Sequence, residues 1–198
     1  SEAAVKFGSQ CVVVAIDAKK DDRIMSIDKL NNRWVIEDEE TLKGKKFKVL
    51  LANEGSTLEE CKKLASDRML DKIINFVGYQ TDMKDLYLAS DVYVTPSMSE
   101  GLGLATLEAL NYGVPNVVTN IGGLTEIVND ETKCGIAVNY DDEEEMCNAL
   151  FKLLTDEELR KEYSLNGKKL VRDIFSRDTM IQKTMKVYEN VYEGKDNE

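Results

Sequence analysis

The chain has 198 residues, of which 42% are hydrophobic and 32% are charged, so it can fold around a hydrophobic core. It carries 26 basic and 37 acidic residues, and the resulting net charge of −11 at pH 7 disfavours nucleic acid or an anionic membrane as its main partner. It contains no histidine, which excludes Ser-His-Asp and Cys-His catalysis within this chain.

Short β-branched segments alternate with amphipathic segments about six times along the sequence. The predicted strands lack polar alternation, as strands buried on both faces of a parallel sheet do; they are Cys11–Ile16, Phe47–Ala52, Ile73–Val77, Asp91–Thr95, Asn116–Thr119 and Gly135–Val138. A long helix is predicted between Asp22 and Lys46. This alternation predicts an α/β fold: one doubly wound, Rossmann-like domain over residues 1–198, with a mostly parallel sheet of about six strands and a helical C-terminus.

Four hydroxyl residues are predicted to cap helix starts: Ser56, Thr81, Thr155 and Ser176. The acidic run at residues 141–145 is expected to cap the helix that follows it. The last predicted helix carries an apolar stripe, which we interpret either as core or as a contact with a further domain; its members are Met180, Ile181, Met185, Val187, Tyr188 and Tyr192. Residues 192–198 are expected to form a frayed tail.

The segment PSMSEGLGLATLEALNYGVP, residues 96–115, combines a glycine-rich loop with a predicted helix start. Gly101 and Gly103 would let a ligand approach the backbone closely, and the free N–H groups of a helix beginning near Leu104 would attract an anion. Glu100 and Glu108 lie eight residues apart, so their carboxylates could share a face and accept hydrogen bonds from paired hydroxyls. These residues favour a phosphorylated sugar or nucleotide as the ligand; the alternative is a solvated turn.

A second glycine-rich loop, residues 120–126, follows the next predicted strand and again opens a helix. Ligands of doubly wound sheets bind at the carboxyl ends of the strands. Two such loops at one sheet edge therefore weigh against the solvated turn.

The residues PSMSEGLGLATLEALNYGVPNVVTNIGGLTEIV resemble the signature of retaining glycosyltransferases of the GT-B fold, group 1 or family 4 type. The shared features are the Glu-x7-Glu motif from Glu100 to Glu108, the Gly-Val-Pro after the helix and the following Gly-Gly; the likeness extends over roughly residues 46–178. It implies the C-terminal, donor-binding domain of an enzyme that transfers a hexose from a nucleoside-diphosphate sugar to an acceptor hydroxyl with retention of configuration.

The resemblance also implies residue roles. Glu108 would bind the ribose hydroxyls, and Glu100 would be the catalytic residue at the donor sugar. The remaining donor contacts would come from the backbone of Gly101, Leu102, Gly103 and Leu104 and, at the nucleotide base, from Gly78 and Tyr79. No metal or other cofactor is implied, because the chain has no Asp-x-Asp, and UDP, GDP and ADP all fit as the nucleotide.

The sequence departs from the family at the end of its first strand. The family has an Arg there and a Lys about five residues later, whereas this chain has either Ile16 or Asp17 at the Arg position. Three nearby cations are left as phosphate-binding candidates, with a solvated surface as the alternative: Lys19, Lys20 and Arg23.

The N-terminal acceptor domain of such enzymes is absent from residues 1–198. We therefore expect the chain to be incomplete and inactive without that domain or a partner subunit. Its expected partners are a nucleotide sugar and the missing half, with no nucleic acid and no transmembrane segment. Its expected location is the cytoplasm, with any peripheral membrane contact made through the missing half.

Two other functions remain open on the sequence. A non-catalytic glycosyltransferase-like module for interaction or regulation would explain the departure at Ile16 and Asp17. An unrelated nucleotide-binding protein such as a sugar epimerase is disfavoured, because no G-x-G-x-x-G follows the first predicted strand.

Overall fold

The computed structural model describes residues 11–15, 48–52, 58–70 and 74–193. Several expectations lie outside this part of the chain: the helix between Asp22 and Lys46, the cap at Ser56, the Ile16 and Asp17 departure, residues 194–198 of the tail, and the phosphate-binding candidates Lys19, Lys20 and Arg23.

Six described strands form one parallel sheet. They are β1 (Cys11–Ala15), β2 (Lys48–Ala52), β3 (Ile74–Gly78), β4 (Val92–Thr95), β5 (Asn116–Thr119) and β6 (Gly135–Val138). Their order is β3-β2-β1-β4-β5-β6, and each neighbouring pair is parallel. The chain winds outward from β1 in one direction and from β4 in the other, so the winding reverses between these two strands. The predicted doubly wound α/β fold is confirmed, with strand ends within one residue of those predicted.

Seven helices lie among the described residues: α1 (Leu58–Asp67), α2 (Lys84–Leu88), α3 (Leu104–Asn111), α4 (Leu124–Ile127), α5 (Glu143–Thr155), α6 (Glu157–Asp173) and α7 (Arg177–Tyr192). The last three follow one another without an intervening strand, which confirms the helical C-terminus. None of the helices in the described ranges is long and apolar enough to cross a membrane.

Both faces of the sheet are covered by helices, which explains why the strands lack polar alternation. Successive side chains of β4 point to opposite faces, so Val92 and Val94 pack into one cluster with Leu153 of α5, while Tyr93 joins a second cluster with Leu86 of α2. Each buried aliphatic side chain of this kind contributes about 1.5–3 kcal/mol to stability. With both faces occupied, the carboxyl edge of the sheet is where a ligand site can form.

Two predicted helix caps are confirmed. The hydroxyl of Ser176 precedes α7 and accepts a hydrogen bond from the N–H of Thr179 at 3.2 Å. The acidic run provides Asp142, whose carboxylate accepts a hydrogen bond from the N–H of Glu145 at 2.8 Å at the start of α5. Both side chains satisfy a helical N–H group that would otherwise have no partner.

The cap predicted at Thr155 is wrong. Thr155 is the last residue of α5, and its hydroxyl donates back to the carbonyl of Phe151 at 2.7 Å. Asp156 caps α6 instead, accepting a hydrogen bond from the N–H of Leu159 at 2.9 Å. Thr and Asp are both good capping residues, and the length of the preceding helix decides between them.

The cap predicted at Thr81 is also wrong. Helix α2 begins at Lys84 with Met83 at the capping position, where no side chain accepts a hydrogen bond. The carboxylate of Asp82 accepts from the N–H of Lys84 at 2.9 Å. The acidic residue next to Thr81 therefore provides the local side-chain acceptor.

Helices α1 and α3 end in the same left-handed turn. At the end of α3, Gly113 has φ +81° and donates to the carbonyl of Leu110 at 2.9 Å, and Val114 donates to Ala109 at 2.9 Å. This pair of bonds defines a Schellman motif, in which glycine is the usual left-handed residue. At the end of α1 the left-handed residue is Met69, with φ +57°. Its N–H donates to the carbonyl of Ser66 at 2.9 Å, and the N–H of Leu70 donates to that of Ala65 at 2.8 Å.

Replacing Met69 with Gly should raise the free energy of unfolding by about 1 kcal/mol, because a side chain in the left-handed region costs roughly that much. The Met69 side chain is 84% exposed, so little packing is lost. Urea unfolding measures the change. The matched control is Gly113→Ala, which should destabilise, since it adds a Cβ at φ +81° within 2.6 Å of Ser164 Oγ. A Met69→Gly protein that is less stable than the wild type would contradict the argument.

Candidate functional site

The candidate site lies at the carboxyl edge of the sheet, beside the point where the winding reverses. The first glycine-rich loop connects β4 to α3, and the second connects β5 to α4. Because β4 and β5 are parallel neighbours, their following loops emerge side by side. The two loops touch, since the N–H of Gly123 donates to the carbonyl of Glu100 at 3.3 Å.

The second loop supports the first through its two glycines. A Cβ on Gly122 would fall on the carbonyl oxygen of Glu100, and a Cβ on Gly123 would lie on the carbonyl of Gly101 and 2.7 Å from Leu102 Cα. These glycines therefore let two backbones pack directly against each other. The helix predicted after this loop is a single four-residue turn, α4, so its start is not a second anion site.

The start of α3 has no capping side chain, and its first two residues, Leu104 and Ala105, are exposed, while Gly103 before them is buried. Gly103 precedes it with φ +83°, and a Cβ there would lie 2.6 Å from Leu124 Cδ2. The carbonyl of Gly103 accepts a hydrogen bond from the N–H of Leu107 at 3.1 Å. The N–H groups earlier in the first turn have no acceptor within the helix, as at any helix start. Leu104 at this end is 67% exposed. The positively polarised end of a helix is thus open to an anion.

Gly101 differs from Gly103 in its surroundings. A Cβ at Gly101 would have no atom within 4 Å. The backbone of Gly101 therefore faces open space beside the start of α3. Leu102, the residue between these glycines, is 40% exposed, whereas Gly103 is buried.

Glu100 lies in the loop before α3, and Glu108 lies on α3 itself. Glu100 is half-buried, and its Cγ lies 3.6 Å from where a Cβ of Gly103 would be. Glu108 is exposed on the second turn of α3, where its Oε2 accepts a hydrogen bond from the hydroxyl of Tyr87 at 3.3 Å. Burial raises the pKa of Tyr93 above its ordinary value, and the charges of both glutamates raise it further, while Thr95 opposes the shift.

Three tyrosines form a cluster beneath Glu108. Tyr87 of α2 meets Tyr93 of β4 edge to face with centroids 5.7 Å apart, and it stacks on Tyr112 at 5.6 Å. Burial raises the pKa of Tyr87 well above its ordinary value, and Tyr93 and Glu108 add to the shift, so its hydroxyl stays protonated as a donor. Sequence reasoning missed Tyr87, because a contact across 21 residues leaves no periodic signal.

Gly78 and Tyr79 lie at the same sheet edge but farther along it. Gly78 ends β3 with φ +68° and open space around its Cβ position, and Tyr79 is 64% exposed. Strands β2 and β1 separate β3 from β4. The structure therefore does not bring these two residues into contact with the loop that carries Glu100.

A parallel sheet with two packed glycine-rich loops at its carboxyl edge defines a Rossmann-like ligand-binding fold. The sequence matches the family of group 1 glycosyl transferases over residues 29–170, which is more than half of the chain. The chain therefore belongs to this family, and the resemblance stated from its motifs is confirmed.

A characterised relative is the lipopolysaccharide core biosynthesis mannosyltransferase LpsB of Rhizobium meliloti. It is 34% identical over 135 residues, which cover 67% of this chain and 36% of that protein. Two other curated relatives match this chain over a similar number of residues. In all three cases the match covers little more than a third of the relative's length.

Solved structures of glycosyltransferases share the fold. The C-terminal domain of the group 1 family protein LpcC from Francisella tularensis has a TM-score of 0.70 and 23% identity, with 86% of this chain and 88% of that chain covered. Anabaena HepE in complex with UDP has a TM-score of 0.78 and 16% identity, with 94% of this chain and 50% of that chain covered. At these identities the likeness establishes the fold.

Proposed function

We propose that this chain is the nucleotide-sugar-binding half of a glycosyltransferase that moves a hexose onto an acceptor hydroxyl with retention of configuration. The observation that carries the proposal is the uncapped start of α3, with Glu100 in the loop before it and Glu108 on its second turn. The diphosphate binds at the helix start, Glu108 accepts hydrogen bonds from the ribose hydroxyls, and Glu100 accepts them from the donor sugar.

The leaving diphosphate acquires negative charge as the glycosidic bond breaks. The polarised start of α3 stabilises that charge through the backbone between Gly101 and Leu104. Lys19, Lys20 and Arg23 are the cations we propose for the same phosphates, and Gly78 with Tyr79 form the side that receives the base. The binding of UDP by HepE, a protein of the same fold, supports a nucleoside diphosphate as the ligand.

Helix α7 supports the proposal that the chain works with an acceptor half. It has no buried residue, although one stripe is apolar. The exposed fractions of the stripe run from 43% at Ile181 to 91% at Tyr192; its exposed members are Met180, Ile181, Met185, Val187, Tyr188, Val191 and Tyr192. No member of the stripe is buried by the residues that the structure describes, and an exposed apolar surface of this kind is typical of an interaction site. We assign the stripe to the acceptor half, either an N-terminal domain or a partner subunit.

Activity in this proposal requires both halves. Residues 1–198 contain no histidine, so the acceptor half supplies any histidine that takes part in transfer. Membrane contact, where the acceptor is lipid-linked, is made by that half as well, because this chain is strongly acidic and anionic surfaces repel it.

Titration calorimetry of the 198-residue chain tests the proposal. We expect at least one of UDP, GDP and ADP, or one of their sugars, to bind with a 1:1 stoichiometry, and added pyrophosphate to compete. The LpcC C-terminal domain was crystallised by itself, which supports the use of the isolated chain. No heat with any nucleoside diphosphate or its sugars would overturn the proposal.

A non-catalytic module is the second candidate, favoured by Ile16 or Asp17 at the position of the family's Arg. The two functions differ in the protein joined to its acceptor half. A catalytic role for Glu100 predicts that Glu100→Gln abolishes turnover, whereas a module has no turnover in either form.

A further inference from the structure

The hydroxyl of Tyr87 connects two helices at the candidate site. It lies 3.3 Å from Glu108 Oε2 and 3.4 Å from the carbonyl oxygen of Ala105, so its one proton is directed at the side chain and the backbone of α3 together. Tyr87 itself belongs to α2 and is only 2% exposed. A ligand at the surface therefore cannot reach the phenol, but it can reach Glu108.

The ring of Tyr87 is held on two sides. Tyr93, fully buried in β4, meets it edge to face with an interplanar angle of 69°, and Tyr112 at the end of α3 stacks on it at 20°. The phenol is thus fixed between the sheet and the helix that carries Glu108. An exposed glutamate has several rotamers, and a bond from a fixed donor removes much of that freedom before a ligand binds.

The bond to Tyr87 leaves most of the carboxylate available. An ionised carboxylate has about four acceptor positions on its two oxygens, and the Tyr87 hydroxyl uses one of them. The remaining positions suffice for the two hydroxyls of a ribose diol. The Tyr87 hydroxyl therefore orients the Glu108 carboxylate and leaves its other acceptor positions free for the ligand.

We propose that Tyr87 is a positioning residue that holds the Glu108 carboxylate in the orientation that receives the ribose diol. This inference rests on the proposed function, in which Glu108 binds ribose. The inference adds to the site a buried residue from α2, which acts only through Glu108. By orienting Glu108, Tyr87 favours ligands that carry both the 2′ and the 3′ hydroxyl.

The test compares a nucleoside diphosphate with its 2′,3′-dideoxy analogue, for whichever of UDP, GDP and ADP binds. The wild-type chain should prefer the ribose form, and Tyr87→Phe should lower affinity for that form about three- to tenfold. Affinity for the dideoxy form should stay unchanged, since that ligand does not use Glu108. A general structural defect would weaken both ligands alike.

Tyr93→Phe is the matched control. It removes a hydroxyl from the same cluster, and the structure shows no hydrogen bond from that hydroxyl to Glu108. The ratio of the two affinities should therefore remain that of the wild type. In a Glu108→Gln background, Tyr87→Phe should have a smaller effect on the ratio, because the bonded carboxylate is already gone.

Three results would overturn the proposal. A folded Tyr87→Phe protein that keeps the wild-type ratio refutes the role of Tyr87 and leaves the proposed function standing. A wild-type chain that binds ribose and dideoxy forms equally refutes the assignment of Glu108 to ribose and this proposal with it. Glu108→Asp shortens the side chain at an exposed position and so withdraws the carboxylate from Tyr87. A Glu108→Asp protein that keeps the full preference for ribose would refute the need for positioning. This variant also provides the test if Tyr87→Phe fails to fold.

Discussion

Replacing Glu108 with Gln should weaken the binding of a nucleoside diphosphate about 10- to 100-fold, because a charge-assisted hydrogen bond contributes about 1.5–3 kcal/mol and every 1.4 kcal/mol is tenfold. The side chain is exposed, so the free energy of unfolding should change little. Calorimetric titration measures the affinity, and urea unfolding measures the stability. The effect should be large because Gln keeps the size of the side chain but replaces one acceptor oxygen with a donor.

Glu100→Gln should separate the two carboxylates by function. Glu100 is assigned to the donor sugar, so this variant should keep the affinity for the nucleoside diphosphate and lose the added affinity for the nucleotide sugar. The charge-matched control is Glu162→Gln on α6, an exposed site away from the glycine-rich loops, which should change neither affinity. Equal losses in Glu108→Gln and Glu162→Gln would show that net charge, rather than the site, governs binding.

Replacing Gly123 with Ala should lower the free energy of unfolding by about 3 kcal/mol, as overpacking between rigid groups does. The added Cβ would lie on the carbonyl oxygen of Gly101 and 2.7 Å from Leu102 Cα, and backbone atoms cannot rotate away as a flexible side chain can. The φ of Gly123 is −66°, which alanine adopts freely, so the predicted loss is purely steric. A drop in melting temperature of about 5–10 °C is expected for a chain of this length.

Gly101→Ala is the matched control for Gly123→Ala in the partner loop. Its Cβ would meet no atom within 4 Å, so stability should remain close to that of the wild type. Affinity for the nucleoside diphosphate should nevertheless fall, since the new methyl group enters the space assigned to the diphosphate. Equal melting temperatures for Gly123→Ala and wild type would refute the packing of the two loops.

The sequence predicted the fold because its local signals agree with one another. Six buried apolar runs alternating with amphipathic segments have few arrangements other than a doubly wound sheet. The helix from Leu104 to Asn111 was also readable, since glycines stand before it and Gly113 follows it at the left-handed turn. Glu100 and Glu108 belong to this one short segment, so their proximity follows from a loop and two helical turns.

Capping residues were harder to predict where two candidates are adjacent. Thr155 and Asp156 are both able to cap a helix, and Asp156 caps α6 because Thr155 is still the last residue of α5. Such a choice depends on how far the buried face of α5 extends over the sheet, which is a property of packing rather than of local sequence.

By itself the sequence determined the α/β class, the segment that carries both glutamates and the presence of an apolar stripe on the last helix. Only the tertiary structure decided that Gly123 packs on Gly101, that Tyr87 bonds to Glu108 and that the stripe of α7 is not buried by any part of the chain that the structure describes. The reason is that periodicity and turn signals act within about one element. Contacts between elements depend on strand order and helix placement, which the hydrophobic pattern allows but does not select.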